Sequence, residues 1–450
     1  MAGKLFGTDG VRGRAGSFLT PELAVALGRA ATARIGSARP QVVILRDTRE
    51  SGEMLESALA AGVSAAGGDA LLAGILPTPA APLLIGRYRF DLAAVISASH
   101  NPFEDNGIKF FASDGFKLSD REEAAIEDAL GANARAGDGE PAAALALTSR
   151  EIGRIRQLRG APEDYLRELH ARYRELDLGE LDVALDCANG ATYEVAPEIF
   201  RRLGARVSVI GDAPDGRNIN AGCGSTHIAS LVAQVVDQGH AIGFAFDGDG
   251  DRVLAVDRRG QVVDGDELMA IVALRRSGEG RLRGNGVAVT VMTNYGFHAA
   301  MQRAGVAVAT TAVGDRYVLE ELRAREWTFG GEQSGHMIDM EFNSTGDGIA
   351  SALLVLEALA GSDLSDRRAM EKLPQRLVNV EVADRDAAAG STALAQAVRE
   401  ADDGLAGRGR VLVRASGTEP LVRVMVEAPT DDEAAEVCDR LVALVRSELG

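Results

Sequence analysis

The sequence predicts an α/β protein with several domains, and three observations lead to that prediction. The chain has 450 residues, enough for about three domains of ~150 residues each. Short runs rich in Val and Ile alternate with helical patterns, as in βαβ units around parallel sheets buried on both faces. Three segments repeat one order of elements. We therefore expect three related mixed α/β domains and a smaller C-terminal α+β domain.

Each of the three repeats begins with a predicted strand, at residues 42–45, 183–185 and 287–291. A helix, a second apolar run and a later strand follow each one. The later strand runs into a polar, Gly-rich or Ser-rich loop that begins near Ser97, Asp247 or Gly331. Because ligands bind beyond the carboxyl ends of strands in open parallel sheets, we expect the three loops to meet in one cleft.

The C-terminal part has a different pattern, with strands predicted at residues 378–382, 411–413 and 422–426 and a closing helix from Asp431. Residues 131–147 are mostly small and include three glycines and a proline, which favours a linker. The predicted domain limits are residues 1–150, 151–257, 258–372 and 373–450.

Composition excludes several classes of protein. Lys and Arg number 48 and Asp and Glu 66, a net charge of −18, which disfavours nonspecific binding to nucleic acid or anionic membranes. Charged residues at 25% and hydrophobic residues at 46% argue against disorder. Three widely separated cysteines predict neither a disulfide framework nor a zinc site, which fits a cytoplasmic location. The most apolar stretch, residues 70–85, contains three prolines and is too short to cross a bilayer.

The most informative segment is SASHNPFEDNGIKFF, residues 97–111. Ser99 follows a predicted strand, and a turn formed by His100, Asn101 and Pro102 would project its hydroxyl for attack or modification. A serine hydrolase would prefer G-x-S-x-G, which is absent here. Taken alone, the segment is equally compatible with a serine that caps a turn.

A second segment, FAFDGDGDRV, places Asp247, Asp249 and Asp251 directly after a buried strand. The glycines between them let the backbone bend, so that the three carboxylates converge on a hard cation. An EF-hand needs Gly at the sixth and Glu at the twelfth loop position, where this chain has arginine. Mg²⁺ is therefore the preferred ion, and an acidic solvated turn is the alternative.

The third segment, VRASGTEPLVRVMVE, lies between two predicted strands of the C-terminal part. Ser416, Gly417 and Thr418 supply hydroxyl and backbone N–H groups, and Arg414 and Arg423 supply charge, which together suit a phosphate group. A plain hairpin turn is the alternative.

Three shorter motifs contribute weaker signals. GEQSGH offers Glu332 and Ser334 for vicinal sugar hydroxyls, and AVGDRYV offers Arg316 as a substrate contact or as part of a helix start. FGTDGVRGR predicts a Gly-rich turn that carries Arg12 and Arg14.

In this order and at these separations, the segments resemble those of the α-D-phosphohexomutases, from Lys4 to the C-terminal part. The resemblance implies four domains around a central cleft. It also implies that Ser99 is the phosphoserine and that Asp247, Asp249 and Asp251 hold Mg²⁺ together with a phosphate oxygen on Ser99.

The resemblance assigns the other site residues as well. Arg12 and Lys109 would lie near the reacting oxygen, with Lys109 as general base if neighbouring cations lower its pKa. His100, Arg252 and His336 would support them, and Glu332 and Ser334 would bind sugar hydroxyls. The phosphate group that is not reacting would be bound by Arg414, Ser416, Gly417, Thr418 and Arg423.

Details of the N-terminal run and Gln333 in GEQSGH resemble the branch of the superfamily that acts on glucosamine phosphates. The implied reaction interconverts glucosamine 6-phosphate and glucosamine 1-phosphate through glucosamine 1,6-bisphosphate, which supplies the amino-sugar precursor of the cell wall. A phosphomannomutase or phosphoglucomutase, a non-catalytic sugar-phosphate sensor and a Mg²⁺-dependent phosphatase remain alternatives. A homodimer is compatible with the sequence but is not specified by it.

Overall fold

The described part of the chain contains four β-sheets with helices between their strands. The computed structural model describes residues 5–7, 9–135, 151–383, 391–415 and 421–449. The elements around the first sheet are β1 (Val11–Arg14), α1 (Pro21–Ala33), β2 (Gln41–Arg46), α2 (Gly52–Ala65), β3 (Asp69–Ile75), α3 (Ala80–Tyr88), β4 (Leu92–Ile96), β5 (Asp105–Ala112), α4 (Asp120–Arg135) and β6 (Ile155–Gln157).

The next two sheets follow in sequence. The second has α5 (Ala161–Arg172), β7 (Asp182–Asp186), α6 (Val195–Arg202), β8 (Arg206–Ile210), α7 (Ala229–Gln238), β9 (Ile242–Phe246), β10 (Val253–Asp257) and β11 (Val262–Val263). The third has α8 (Gly265–Gly278), β12 (Gly286–Thr290), α9 (Tyr295–Arg303), β13 (Ala307–Thr311), α10 (Asp315–Arg325), β14 (Phe329–Gly331), β15 (Met337–Asp339) and α11 (Gly348–Leu359), with 3-10 turns at Arg283–Asn285 and Leu364–Asp366.

One strand order occurs in all three sheets, which confirms the predicted repeat. The sheets contain the orders β5-β4-β2-β3, β10-β9-β7-β8 and β15-β14-β12-β13. In each, a strand–helix–strand–helix–strand run ends in a loop, and the chain then returns as an antiparallel neighbour of the strand it has just left. The three loops predicted to carry chemistry are the loops at these returns.

The sheets are mixed, whereas the sequence predicted parallel sheets. β2 pairs in parallel with β3 and β4, but β4 pairs with β5 and β5 with β1 in antiparallel fashion. All five residues of β4 and of β9 are buried, so the long apolar runs correctly mark interior strands. The return strands β5 and β10 are also mostly buried and each pairs on both sides, so an apolar run alone does not reveal their antiparallel direction.

The C-terminal sheet is antiparallel, in the order β16-β18-β17. Its elements are β16 (Gln375–Glu381), α12 (Thr392–Leu405), β17 (Arg410–Ala415), β18 (Leu421–Glu427) and α13 (Asp431–Leu449). These match the predicted strands and the closing helix. The two helices and the sheet enclose a separate apolar core.

The chain forms two compact units. The first comprises residues up to 291 together with residues 309–367, and it holds the three chemistry-bearing loops. The second comprises residues 368–450 together with residues 292–308, a segment that the sequence analysis assigns to the third domain. Among the helices that the structure describes, none is both long and apolar enough to cross a bilayer.

Candidate active site

Ser99 lies at the centre of the loop that follows β4. Its backbone adopts a left-handed conformation, with φ of +53°, and the residue is only 1% exposed. Its hydroxyl donates to Asp247 Oδ2 at 2.5 Å, and its backbone N–H donates to Ser97 Oγ at 3.0 Å. This conformation is uncommon for a non-glycine residue and persists only where the surrounding structure holds it.

The Asp247 loop follows β9 and faces this serine. Oxygens of Asp247, Asp249 and Asp251 lie within 4.8 Å of one another, and all three residues are buried. Oδ1 of Asp249 and Oδ1 of Asp251 have no hydrogen-bond partner among the described residues. Burial and the carboxylates of Asp251 and Asp249 raise the pKa of Asp247 well above its ordinary value, so the negative charge of this one carboxylate is not fully balanced by the cations nearby. The donor set suits a hard divalent cation.

The two glycines of this loop have different roles. Gly250 has φ of +70°, the left-handed conformation that was predicted for tight bending. Gly248 is needed for close approach instead, because a Cβ there would lie 2.4 Å from the backbone oxygen of Ser99. The serine loop and the acidic loop are therefore in direct backbone contact.

Lys109 lies on β5 and is buried beside the acidic cluster. Its Nζ is 2.7 Å from Asp249 Oδ2 and 3.2 Å from Asp9 Oδ2. The prediction that neighbouring cations lower its pKa is wrong. Although burial favours the neutral amine, Asp249, Asp9 and Asp251 raise the pKa of Lys109, because these carboxylates outweigh the cation of Lys117. Lys109 is therefore an ammonium group that balances the carboxylates.

Arg12 is in a strand, not in the predicted Gly-rich turn. Residues 11–14 form β1, which pairs antiparallel with β5 and places Arg12 opposite Gly107. Arg14 is at the exposed end of β1. The guanidinium of Arg12 is hydrogen-bonded to Asp9. Despite burial, Asp9, Asp249 and Asp251 raise the pKa of Arg12, so it adds a second cation to the site.

His100 and Arg252 adjoin the serine. His100 Nδ1 lies 3.3 Å from Ser99 Oγ and 3.3 Å from Arg252 Nη1. Since a guanidinium can only donate, Nδ1 is the unprotonated ring nitrogen, and its lone pair accepts from Arg252 in this contact. Burial, Arg252 and Arg12 lower the pKa of His100, so its ring is neutral near pH 7. The backbone N–H of Arg252 donates to Asp247 Oδ1 at 3.1 Å.

His336 lies on the far side of the acidic loop. Nδ1 is 3.6 Å from Asp251 Oδ2, and the backbone N–H of Gly346 donates to Nε2 at 3.1 Å. Although burial opposes the charged form, Asp251 and Asp315 raise the pKa of His336. The structure thus brings Ser99, the three aspartates, Lys109, Arg12, His100, Arg252 and His336 into one site.

The residues predicted to bind the sugar differ in exposure and in their partners. Glu332 is half-buried, and its Oε1 accepts from the backbone N–H of Gly314 at 3.1 Å, while Ser334 is exposed. Gln333 donates to Asp264 Oδ2 at 3.3 Å, so its side chain ties the loop to the start of α8. Arg316 is paired with Glu123 at 3.1 Å and with Asp120, so its role as a substrate contact stays a prediction.

Four residues of the site were missed. Lys117 donates to Asp9 and, at 2.6 Å, to Asp315, and Thr78 donates to Asp249 Oδ2 at 2.7 Å. The Asp114–Gly115 pair is a hairpin signal that could have identified Lys117. The chain reverses at such a turn, so that Lys117 pairs with Phe111. Lys109 lies two residues before Phe111 on the same face of the strand, so Lys117 and Lys109 are neighbours on that face.

The second unit carries the predicted phosphate-binding segment. Arg414 on β17 is directly opposite Arg423 on β18. Burial and the neighbouring Arg423 lower the pKa of Arg414, which is the expected effect of two like charges across a strand pair. Ser416, Gly417 and Thr418 lie outside the described residues.

Taken together, the first unit presents a strained, buried serine hydroxyl, a cluster of carboxylates suited to a cation, and several fixed positive groups. Phosphoryl transfer requires such an arrangement, because the charge of the moving group must be neutralised while the donor and acceptor are held in line.

Comparison with known proteins agrees with this chemistry. Four family models match in order: phosphoglucomutase/phosphomannomutase α/β/α domain I at residues 3–136, domain II at 163–260, domain III at 264–377 and the C-terminal domain at 377–444. The phosphoglucosamine mutase of Moorella thermoacetica is 52% identical over 97% of each chain. That of Mycobacterium bovis is 50% identical over 98% of each chain.

Solved structures share the fold. A phosphoglucomutase/phosphomannomutase family protein from Burkholderia thailandensis has a TM-score of 0.80 at 22% identity, covering 99% of this chain and 98% of that one. The N-acetylphosphoglucosamine mutase of Aspergillus fumigatus, solved in complex with GlcNAc-6P and magnesium, has a TM-score of 0.71 at 20% identity, covering 99% and 96%. The chain therefore belongs to the phosphoglucomutase/phosphomannomutase family of the α-D-phosphohexomutase superfamily, and its sequence groups with the phosphoglucosamine mutases.

Proposed function

We propose that the protein interconverts glucosamine 6-phosphate and glucosamine 1-phosphate, with Ser99 as the carrier of the phosphoryl group. The observation that supports this most directly is the 2.5 Å contact between Ser99 Oγ and Asp247 Oδ2, which brings a nucleophile against a carboxylate cluster. Full-length relatives that are about half identical and are named phosphoglucosamine mutase support the choice of sugar. The product would supply the cytoplasmic pool of amino-sugar precursor for the cell wall.

The carboxylates of Asp247, Asp249 and Asp251 would hold Mg²⁺. Two of their buried oxygens have no partner among the described residues, which fits a bound cation. Bound Mg²⁺ would neutralise charge on the phosphoryl group as it moves.

The reaction would proceed in two half-steps. In the first, O1 of glucosamine 6-phosphate gives up its proton and bonds to phosphorus while the bond from phosphorus to Ser99 Oγ breaks and Oγ takes up a proton, giving the 1,6-bisphosphate. After the intermediate turns around, Ser99 Oγ gives up its proton and bonds to the 6-phosphorus, and the bond to O6 breaks as O6 takes up a proton. Glucosamine 1-phosphate is released and phospho-Ser99 is restored.

The surrounding side chains would assist by charge and by proton transfer. Lys109 and Arg12, both held cationic by carboxylates, would balance negative charge beside the reacting oxygens. When Ser99 attacks, its proton must leave, and Nδ1 of the neutral His100, 3.3 Å away, would accept it in exchange for the hydrogen bond from Arg252. Glu332 and Ser334 would bind sugar hydroxyls, and Arg414 and Arg423 would bind the distal phosphate.

The decisive experiment combines Ser99→Ala with a panel of substrates. The wild-type protein should convert glucosamine 6-phosphate faster than glucose or mannose 6-phosphate, and intact-protein mass spectrometry should detect one phosphoryl group on Ser99. Ser99→Ala should lose turnover and the phosphoryl group together. Near-normal mutase activity in this variant would refute the proposal, and a preference for mannose or glucose phosphate would reassign the substrate.

A further inference from the structure

The backbone conformation of Ser99 has to be maintained by its surroundings. A left-handed φ at a residue with a side chain costs conformational free energy and persists only where other groups hold it. The contacts that hold it involve two residues outside the motifs discussed above, Arg49 and Asn220.

Arg49 is buried beneath the serine loop, with 1% exposure. A guanidinium has five N–H donors, and the side chain of Arg49 makes five hydrogen bonds, four of them to backbone carbonyls of the serine loop. Its acceptors are Asp47 Oδ2 at 2.9 Å and the carbonyl oxygens of Ser99 at 3.0 Å, Asn101 at 2.8 Å, Asp105 at 2.9 Å and Pro102. One guanidinium therefore binds four backbone carbonyls of the turn and holds them at fixed positions.

Asp47 extends this arrangement to the amide of Ser99. Its carboxylate accepts from the backbone and side chain of Arg49 and, at 2.6 Å, from Ser97 Oγ. Ser97 Oγ in turn accepts the backbone N–H of Ser99 at 3.0 Å. Both the amide and the carbonyl of Ser99 are thus fixed by groups that lead back to Arg49.

Asn220 reaches the same carbonyls from the loop between β8 and α7. Its Nδ2 donates to the carbonyl oxygens of Ser99 at 3.0 Å and Asn101 at 3.1 Å. Because both partners are acceptors, the orientation of this amide is settled. A Cβ on Gly248 would lie 2.8 Å from Asn220 Nδ2, so Asn220 also packs on the acidic loop.

We propose that Arg49 and Asn220 are positioning residues that hold the Ser99 backbone from two sides and thereby keep its hydroxyl against Asp247. Arg49 follows a strand of the first sheet and Asn220 follows a strand of the second. Together they fix the position of the serine loop relative to the acidic loop. The inference rests on the proposed function in that Ser99 is taken to carry the phosphoryl group. Neither residue touches the reacting atoms, and both act through the carbonyl of Ser99.

The test compares Arg49→Lys and Asn220→Ala with a matched control, Arg276→Lys. Arg276 is also buried and makes a bidentate ion pair, with Asp339, remote in sequence from the serine and acidic loops. For each purified full-length variant with Mg²⁺, kcat and KM for glucosamine 6-phosphate, the phosphoryl content of Ser99 and the thermal midpoint are measured.

Arg49→Lys keeps the charge but cannot reach four carbonyls at once, so kcat should fall about 100-fold, as for a small misplacement of a reacting group. Asn220→Ala should lower kcat about tenfold, because the arginine remains. KM should change by less than about twofold in both, since the sugar-binding loop is untouched. Arg276→Lys should lower the thermal midpoint while keeping kcat.

A purely structural role predicts another result, in which Arg49→Lys and Arg276→Lys lose thermal stability alike and both keep kcat. That result overturns the proposal. If Arg49→Lys does not fold, Asn220→Ala decides by the same readouts.

A crystal structure of Asn220→Ala separates this inference from the proposed function. The inference expects the Ser99 φ to leave the left-handed region or Ser99 Oγ to move out of hydrogen-bond distance of Asp247. An unchanged Ser99 would refute it, whatever the enzyme does. Activity that survives Ser99→Ala would instead refute the proposed function alone.

Discussion

Individual residues of the site take their chemistry from neighbours that are distant in sequence. Lys109 has an ordinary lysine side chain, yet Asp9 and Asp249, 100 and 140 positions away, reverse the direction predicted for its pKa. Burial alone would have lowered that pKa, and the sign depends on which charges the fold brings within about 4 Å. A motif can therefore predict that a residue belongs to the site, whereas predicting its protonation state requires the three-dimensional structure.

Gly248 gives the first prediction. In Gly248→Ala the new Cβ would start 2.4 Å from the carbonyl oxygen of Ser99, and neither backbone can yield without shifting the serine. We expect kcat to fall by about 100-fold with the fold retained, because reacting groups displaced by about 1 Å lose that much.

The control is Gly278→Ala at the end of α8, where a Cβ would meet nothing within 4 Å. Alanine favours a helix, so this variant should fold normally. Its kcat should therefore equal that of wild type. Steady-state kinetics and circular dichroism of both variants check the prediction. Wild-type kcat in Gly248→Ala would contradict it.

Motifs revealed the residues that lie together in sequence, namely Ser99 with His100 and the three aspartates. Asp9, Thr78, Lys117 and Asp315 were missed, although each contacts a site residue. These four come from separate segments, and no local pattern of one segment indicates the presence of another. Only the hairpin that carries Lys117 left a readable signal, its Asp-Gly turn.

At the level of elements, the strands buried on both faces were predicted well and the return strands were not. The sequence predicts a turn at residues 11–14 because Gly10 precedes them and Gly13 lies among them. They form a strand because β5, more than ninety residues later, offers an edge for pairing. Pairing between distant segments overrides local propensity, and for this reason the mixed character of the sheets was not predicted.

The start of α11 gives a prediction about pH. Asp347 caps this helix by accepting from the N–H of Ala350 at 2.9 Å, and it also accepts from the hydroxyl of Tyr165. Burial raises the pKa of Asp347 from 3.8 to about 6. Between these values the folded protein keeps a proton that the unfolded chain releases, so stability falls as the pH rises through this window. The full effect is roughly 3 kcal/mol at 1.36 kcal/mol per pKa unit.

Asp347→Asn keeps the capping oxygen and cannot ionise. Its thermal midpoint relative to wild type should therefore be higher at pH 8 than at pH 4.5. Asp363→Asn should show almost no such change between these pH values, because, despite partial burial, hydrogen bonds from Ser365 lower the pKa of Asp363 below 3.8, so its contribution to stability changes only at lower pH. Scanning calorimetry at the two pH values measures both, and a difference for Asp347→Asn that does not change with pH would count against the burial argument.

At the scale of the whole molecule, a net charge of −18 has to coexist with an anionic substrate. The site in the first unit concentrates Lys109, Lys117, Arg12 and Arg252 around its carboxylates. The second unit places two arginines opposite each other. Under the proposed function, these local cations would reverse the potential of an acidic protein at the groups that bind the substrate.

The arginine pair of the second unit gives a third prediction. Arg414→Ala should raise KM for glucosamine 6-phosphate about tenfold, the usual loss for one charge-assisted hydrogen bond to a phosphate. Arg408→Ala is the control, because Arg408 is exposed and pairs with Glu433 in the same unit. An equal KM in the two variants would remove Arg414 from the phosphate site.

The last prediction concerns the divalent ion. Three buried carboxylates within 4.8 Å of one another repel each other, and a bound cation relieves that repulsion in the folded state only. We therefore expect chelation by EDTA to abolish activity and also to lower the thermal midpoint, and Mg²⁺ to restore both.

Ser99→Ala separates the structural from the catalytic effect of the ion. This variant keeps the whole acidic loop, so its thermal midpoint should still rise with Mg²⁺ although it cannot turn over. Asp249→Asn should lose most of the rise, since it removes one of the charges that bind the ion. If wild-type protein exhaustively treated with EDTA keeps both its activity and its thermal midpoint, the carboxylate cluster does not bind a catalytic metal, and Lys109 and Arg12 must balance its charge alone.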